Sequence, residues 1–133
     1  MDEQGSDFNW VKARHECSAA RMFTRLSLRA AADVKERNEL RTDRELKREI
    51  KFEFQSKGAR FEVFQNSRER PSVTFVLDGD GIRVEGNNPS ACFAGTVTLN
   101  YEGQCRLKVE QEELQEWQVL KRALETFFFS PDA

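Results

Sequence analysis

The chain has one histidine, one tyrosine, three prolines and three cysteines in 133 residues. Each scarcity narrows what the protein can be. The three cysteines, Cys17, Cys92 and Cys105, are odd in number and widely spaced, with no CxxC. That pattern argues against a disulfide framework and against a zinc site. It leaves the three as free thiols that pack like small hydrophobes, most simply in a reducing compartment. The one histidine, His15, lacks a positioned partner. Glu16 and Cys17 follow it directly, but adjacent residues on a helix do not face each other. A site built from His15 and all three cysteines requires convergence that the pattern does not offer. Cys17 falls on a helix and Cys105 on the apolar face of a strand, while Cys92 alternates out of phase with Phe93. No metal and no cofactor is expected.

Charge of one sign is also lacking. Twenty-one basic and 23 acidic residues interleave to a net charge of −2, without the basic stripe of a nucleic-acid binder. The opening "MDEQGSDFNW" is acidic and has no apolar signal-peptide core. No apolar run approaches the roughly 20 residues needed to cross a bilayer. The expected setting is cytoplasmic. Eleven phenylalanines against a single tyrosine point to core packing rather than to a Tyr-rich recognition surface. GxSxG, P-loop, GxGxxG and HExxH motifs are all missing, so no catalytic residue is assigned.

What is present divides by period, within a single domain spanning 1–133. A first helix is expected over 7–38, capped by Ser6 or Asp7. Its apolar stripe is Val11, Ala19, Met22, Leu26, Ala30 and Val34, widened by Trp10, Ala13, Cys17, Ala20 and Phe23. His15 falls on that stripe and reads as a packed structural residue. Residues 39–49 are a charged connector or a helix extension, fraying near Asn38 to Asp43.

Residues 50–109 then alternate with period two, giving six half-buried antiparallel strands. Opposed residues share a face, which fixes the turns. Phe54 opposite Phe61 closes a hairpin at Lys57-Gly58. Leu99 opposite Cys105 leaves the three-residue loop Tyr101-Glu102-Gly103. "LDGDGIRVEG" resembles a calcium loop at first sight. Counted from Asp78, however, the sixth position is Arg83 and the twelfth Pro89, where a calcium loop needs Gly and Glu. Pairing Leu77 with Ile82 makes it a plain turn, of type II′ if Gly79 starts it. A last helix over 112–129 carries Leu114, Trp117, Leu120, Leu124 and Phe127 or Phe128 on one stripe. The expected class is α+β: a long N-terminal helix, a six-stranded curved antiparallel meander and a C-terminal helix packed on the sheet.

Two surface features invite function. Arg60 and the run Arg68 to Pro71 offer cations to an anion, though Glu62 and Glu69 lie among them and a solvated loop is the simpler account. In "ETFFF" three consecutive helical residues span about 200°. Phe127, Phe128 and Phe129 therefore cannot share one narrow core stripe, and they form a candidate interface. The resulting expectation is a small non-enzymatic domain acting through protein–protein contact, as a homodimer. The alternative is a small apolar ligand in a cleft between curved sheet and helix, lined by Phe54, Phe61, Phe75, Phe93 and Trp117.

Overall fold

A computed structural model describes residues 7–129. The expected helix over 7–38 is two helices, α1 (Trp10–Glu16) and α2 (Ala19–Glu39). Capping chemistry explains the break. Asn9 accepts from the Lys12 N–H and starts α1, while Ser18, in extended backbone, accepts from the Arg21 N–H and starts α2. Ser6 lies outside the described residues. The α2 stripe holds at Ala19, Met22, Phe23, Leu26, Ala30 and Val34, all buried, but not at Ala20, which is exposed. In α1 it fails: no residue is buried, and Trp10, Val11 and His15 are exposed. The break at Cys17 rotates α1 off the core.

The connector is not frayed. Thr42 and Glu45 form a capping box that opens α3 (Asp43–Lys47), a spacing that suits the two free N–H groups of a first turn. Arg37 on α2 reaches both Glu45 oxygens, one at 3.1 Å, and donates through Nε to the Phe128 carbonyl at 2.8 Å. One buried guanidinium thus ties α2, α3 and the C-terminal end of the last helix together.

Seven strands follow in the order β1-β2-β3-β4-β5-β6-β7, every neighbouring pair antiparallel. They are β1 (Phe52–Lys57), β2 (Arg60–Gln65), β3 (Ser72–Asp78), β4 (Gly81–Gly86), β5 (Phe93–Leu99), β6 (Cys105–Val109) and β7 (Glu112–Leu114), with a 3-10 turn at Pro89–Ala91. Leu77 pairs with Ile82 and Leu99 with Cys105, as the face-matching argument requires. Gly79 alone of the two central residues at the β3–β4 turn has positive φ, at 62°, as a type II′ turn needs. The first hairpin differs from expectation by two residues. Phe54 opposes Val63 and Ser56 opposes Phe61. That register leaves a two-residue Gly58-Ala59 turn with Gly58 at φ 61°. A shift of two keeps every side chain on its face, so parity cannot distinguish the registers.

The other correction is at residue 112. Glu110 takes φ 56° and turns the chain back. Glu112–Leu114 then adds a seventh strand with Leu114 opposite Leu107, and α4 (Glu116–Phe129) starts later than expected. Leu114 is in the core by strand parity instead of helical stripe. Helices α2 and α4 share one core with the inner sheet face, centred on Phe52, Phe61, Phe75, Met22, Leu26, Ile82 and Leu107. The sheet stays open, and both edges are managed. Asn38 accepts from the Phe52 N–H at 2.9 Å and donates to its carbonyl at 2.8 Å, while β7 is only three residues long.

Cys17 and Cys105 are joined by a disulfide, with Cα atoms 5.4 Å apart. This corrects the reading of three free thiols. The two residues are far apart in sequence, and nothing in their spacing signals the pair. Cys105 does lie on the inner face as expected, and Cys92 is free and exposed.

Candidate functional site

The three C-terminal phenylalanines part company, as their angular spread demands. Phe128 is buried and meets Phe52 edge-on at 5.0 Å. Phe127 packs half-buried on the same ring at 5.2 Å. Phe129 is 62% exposed. Of the residues expected to line a cleft, Phe61, Phe75 and Phe93 are buried and Phe54 is partly buried against them. Phe61 stacks on Phe75 at 4.4 Å and meets Phe23 of α2 at 5.1 Å, so rings occupy the space between sheet and helix. Trp117 is different. It is 50% exposed and borders an open groove.

That groove runs between α2 and α4 and has a volume of about 400 Å³. Leu120, Leu124 and Phe128 face it from the core side, and Trp117, Leu40 and Phe129 stand exposed around it. α2 and α4 each turn their buried stripe down onto the sheet, and the groove lies between their upper faces. The charges along it are mostly paired. Glu116 receives Arg25 and Arg29 at the head of α4, where a carboxylate also complements the helix N-terminus. Lys121 pairs with Glu125 one turn on, at 2.9 Å. At the far end Arg37 is committed to Glu45 and the Phe128 carbonyl, with its guanidinium 5.2 Å from the Phe129 ring centre.

Two carboxylates remain. Asp33 and Glu36 lie three residues apart on the α2 wall, and among the described residues neither is in an ion pair. Partial desolvation holds the Asp33 carboxyl above its ordinary range; Arg29 pulls it down and Glu36 pushes it up. Such a surface can bind an apolar group flanked by a cation. It holds no nucleophile with a base beside it, and no cluster of metal-ligating side chains exists among the described residues.

The remaining candidates are accounted for locally. Arg70 makes a bidentate pair with Glu62, both bonds 3.1 Å, and lies 3.8 Å over the Phe64 ring. Burial raises the Glu62 carboxyl, but the Arg70 guanidinium, with hydrogen bonds from Gln55 and Ser72, outweighs it and holds the group below its ordinary range. Asp78 is paired with Arg83 across its hairpin at 2.7 Å, so the "LDGDG" turn is structural.

Sequence reasoning picked out Trp117 and Phe129 but assigned them to different sites, and it missed Leu40, Asp33 and Glu36. The legible signal was the Thr42-x-x-Glu45 capping box. It starts α3 at Asp43, just past Leu40, the C-cap of α2. No helix among the described residues is long and apolar enough to cross a membrane. No protein-family model matches the chain, and neither curated proteins nor solved structures provide a match.

Proposed function

We propose that this domain is a non-enzymatic binding module that works by protein–protein contact, using the groove between α2 and α4, and that it self-associates as a homodimer. The observation that carries the reading is the exposed apolar rim: Trp117, Phe129 and Leu40 are 50%, 62% and 59% exposed around one apolar floor. Aromatic side chains grouped at a concave surface are what interface anchors look like. The expected cytoplasmic setting belongs to this reading with one consequence. A reducing compartment opens disulfides, so there the Cys17–Cys105 bond marks an oxidised form of the domain.

Light scattering over a micromolar concentration series tests the proposal. The wild-type chain should associate, and Phe129→Asp should remain monomeric and melt like wild type at a dilution where both are monomers. A wild-type chain that stays monomeric, or a Phe129→Asp variant that associates equally well, removes the homodimer and its groove. A small apolar ligand is the second reading. It is favoured by a volume of about 400 Å³, within the range of ligand sites. A native mass spectrum without bound lipid, together with no thermal shift across a fatty-acid panel, argues against it.

A further inference from the structure

Helix α1 is unusual in what it does not do. It has seven residues and buries none of them. A helix that short has little stability of its own. It is held instead from its two ends, both times by the β5–β6 hairpin. Before it, the Phe8 ring sits over Gly103, where a Cβ would lie 2.6 Å from the ring. After it, Cys17 is bonded to Cys105. Pinned in this way, α1 presents an outward face. At about 100° per residue, Trp10, Val11, Arg14 and His15 fall within one 140° sector. Trp10 is 63% and Val11 61% exposed.

We infer that this face is the occupant of the groove: α1 of one copy docks between α2 and α4 of a second copy, and the second returns the contact. The inference rests on the groove being a protein-binding surface, and it names the partner as this chain. Complementarity supports it. The groove offers an apolar floor with two carboxylates, Asp33 and Glu36, that have no ion pair among the described residues. The α1 face offers two large apolar side chains with Arg14 beside Trp10 one turn on; the Arg14 guanidinium donates to the Cys17 carbonyl at 3.4 Å and has no ion pair among the described residues. The placement allows reciprocity. α1 leads into the first turn of α2, while the groove lies along the second half of α2. Its 21 residues make it roughly 32 Å long. Two copies with antiparallel α2 helices bring each α1 to the other's groove.

Sedimentation equilibrium of the oxidised full chain tests this by charge exchange. Arg14→Glu alone and Asp33→Arg alone should each weaken dimerisation about tenfold, since each change acts twice in a symmetric dimer. The double variant should return to within about threefold of wild type. Trp10→Ala/Val11→Ala should abolish the dimer while melting like wild type at concentrations where both are monomeric, because neither residue is buried within its own chain. If the α1 variants leave the dimer intact while Phe129→Asp destroys it, the groove reading stands and this inference falls. If neither set affects the dimer, both fall. Two single reversals that weaken the dimer without rescue in the double also overturn the pairing of Arg14 with Asp33.

Discussion

Opening the Cys17–Cys105 bond is expected to cost this domain several kcal/mol. The bond closes a loop of 88 residues. In the chain-entropy treatment a cross-link removes about 2 cal/mol/K plus 1.5R times the logarithm of loop length. For a loop of 88 that is about 15 cal/mol/K, or about 4.5 kcal/mol at 25 °C. Reduction leaves both sulfurs in place, so no cavity adds to the loss. Stability changes of 1 kcal/mol move the melting temperature by about 3–5 °C in domains of this size, so the reduced chain should melt roughly 15 °C lower. Urea unfolding with and without reductant gives the free-energy difference directly. Its slope should rise on reduction, because the unlinked chain exposes more surface when unfolded. A Cys17→Ala/Cys105→Ala variant should ignore reductant and be no more stable than the reduced protein, since it also removes two sulfurs packed at the core. Alkylation in denaturant supplies the chemical check: one thiol, Cys92, before reduction and three after. Three reactive thiols without reductant, or a urea midpoint unmoved by reduction, would refute the reasoning.

Glu45→Gln should destabilise the domain by about 3–5 kcal/mol in urea melts at pH 7, because it leaves the buried Arg37 charge without its counter-ion. The Arg37 hydrogen bond holds the Glu45 carboxyl below its ordinary value of 4.5, against the opposing effect of burial. A lowered folded pKa gives stability that is complete above 4.5 and lost as pH falls through the folded value. The gap between wild type and Glu45→Gln should therefore narrow on acidification below pH 4.5, and a gap constant down to pH 3 contradicts the assignment. Phe128→Ala should cost about 3–5 kcal/mol and Phe129→Ala less than about 0.5, a contrast that thermal melts of the two variants will show or deny. Gly95→Ala places a Cβ 2.8 Å from the Leu107 side chain and 2.8 Å from the Lys108 carbonyl, a clash expected to cost at least about 1–3 kcal/mol by urea titration. Wild-type stability there means β5 and β6 move apart freely.

The sheet was legible because its rule is binary. Period two puts each side chain on one of two faces, and a glycine at positive φ marks where the chain reverses. Leu77 with Ile82 and Leu99 with Cys105 follow from those facts alone. The same rule is blind to shifts of two, which is why Phe54 was paired with Phe61 when its partner is Val63. Both registers close on a two-residue turn, Lys57-Gly58 in one and Gly58-Ala59 in the other, so loop length does not choose between them either. Helical periodicity was less reliable at boundaries. A continuous three-and-four spacing from Val11 to Val34 hid the break that Ser18 caps. The pattern "EEL" ahead of Gln115 was absorbed into α4, though Leu114 serves equally well as the inward residue of a short strand.

The groove was hard to see for a related reason. Trp117 and Leu120 belong to one helix, Leu40 ends another, and Asp33 and Glu36 look like ordinary solvated charges in an alternating run. Each has a bland local explanation. Only the packing of α2 beside α4, tied at one end by the buried Arg37 link between Glu45 and the Phe128 carbonyl, brings them to one surface. The disulfide shows the same logic at longer range. Cys17 ends a helix and Cys105 opens a strand, and each separately reads as a small apolar residue in its place. Their bond is a property of the topology, because the meander carries β6 back to the start of α2. Chemistry that depends on one element is readable from its pattern. Chemistry assembled from two elements needs the fold first, and in this chain both the groove and the α1 anchor are of the second kind.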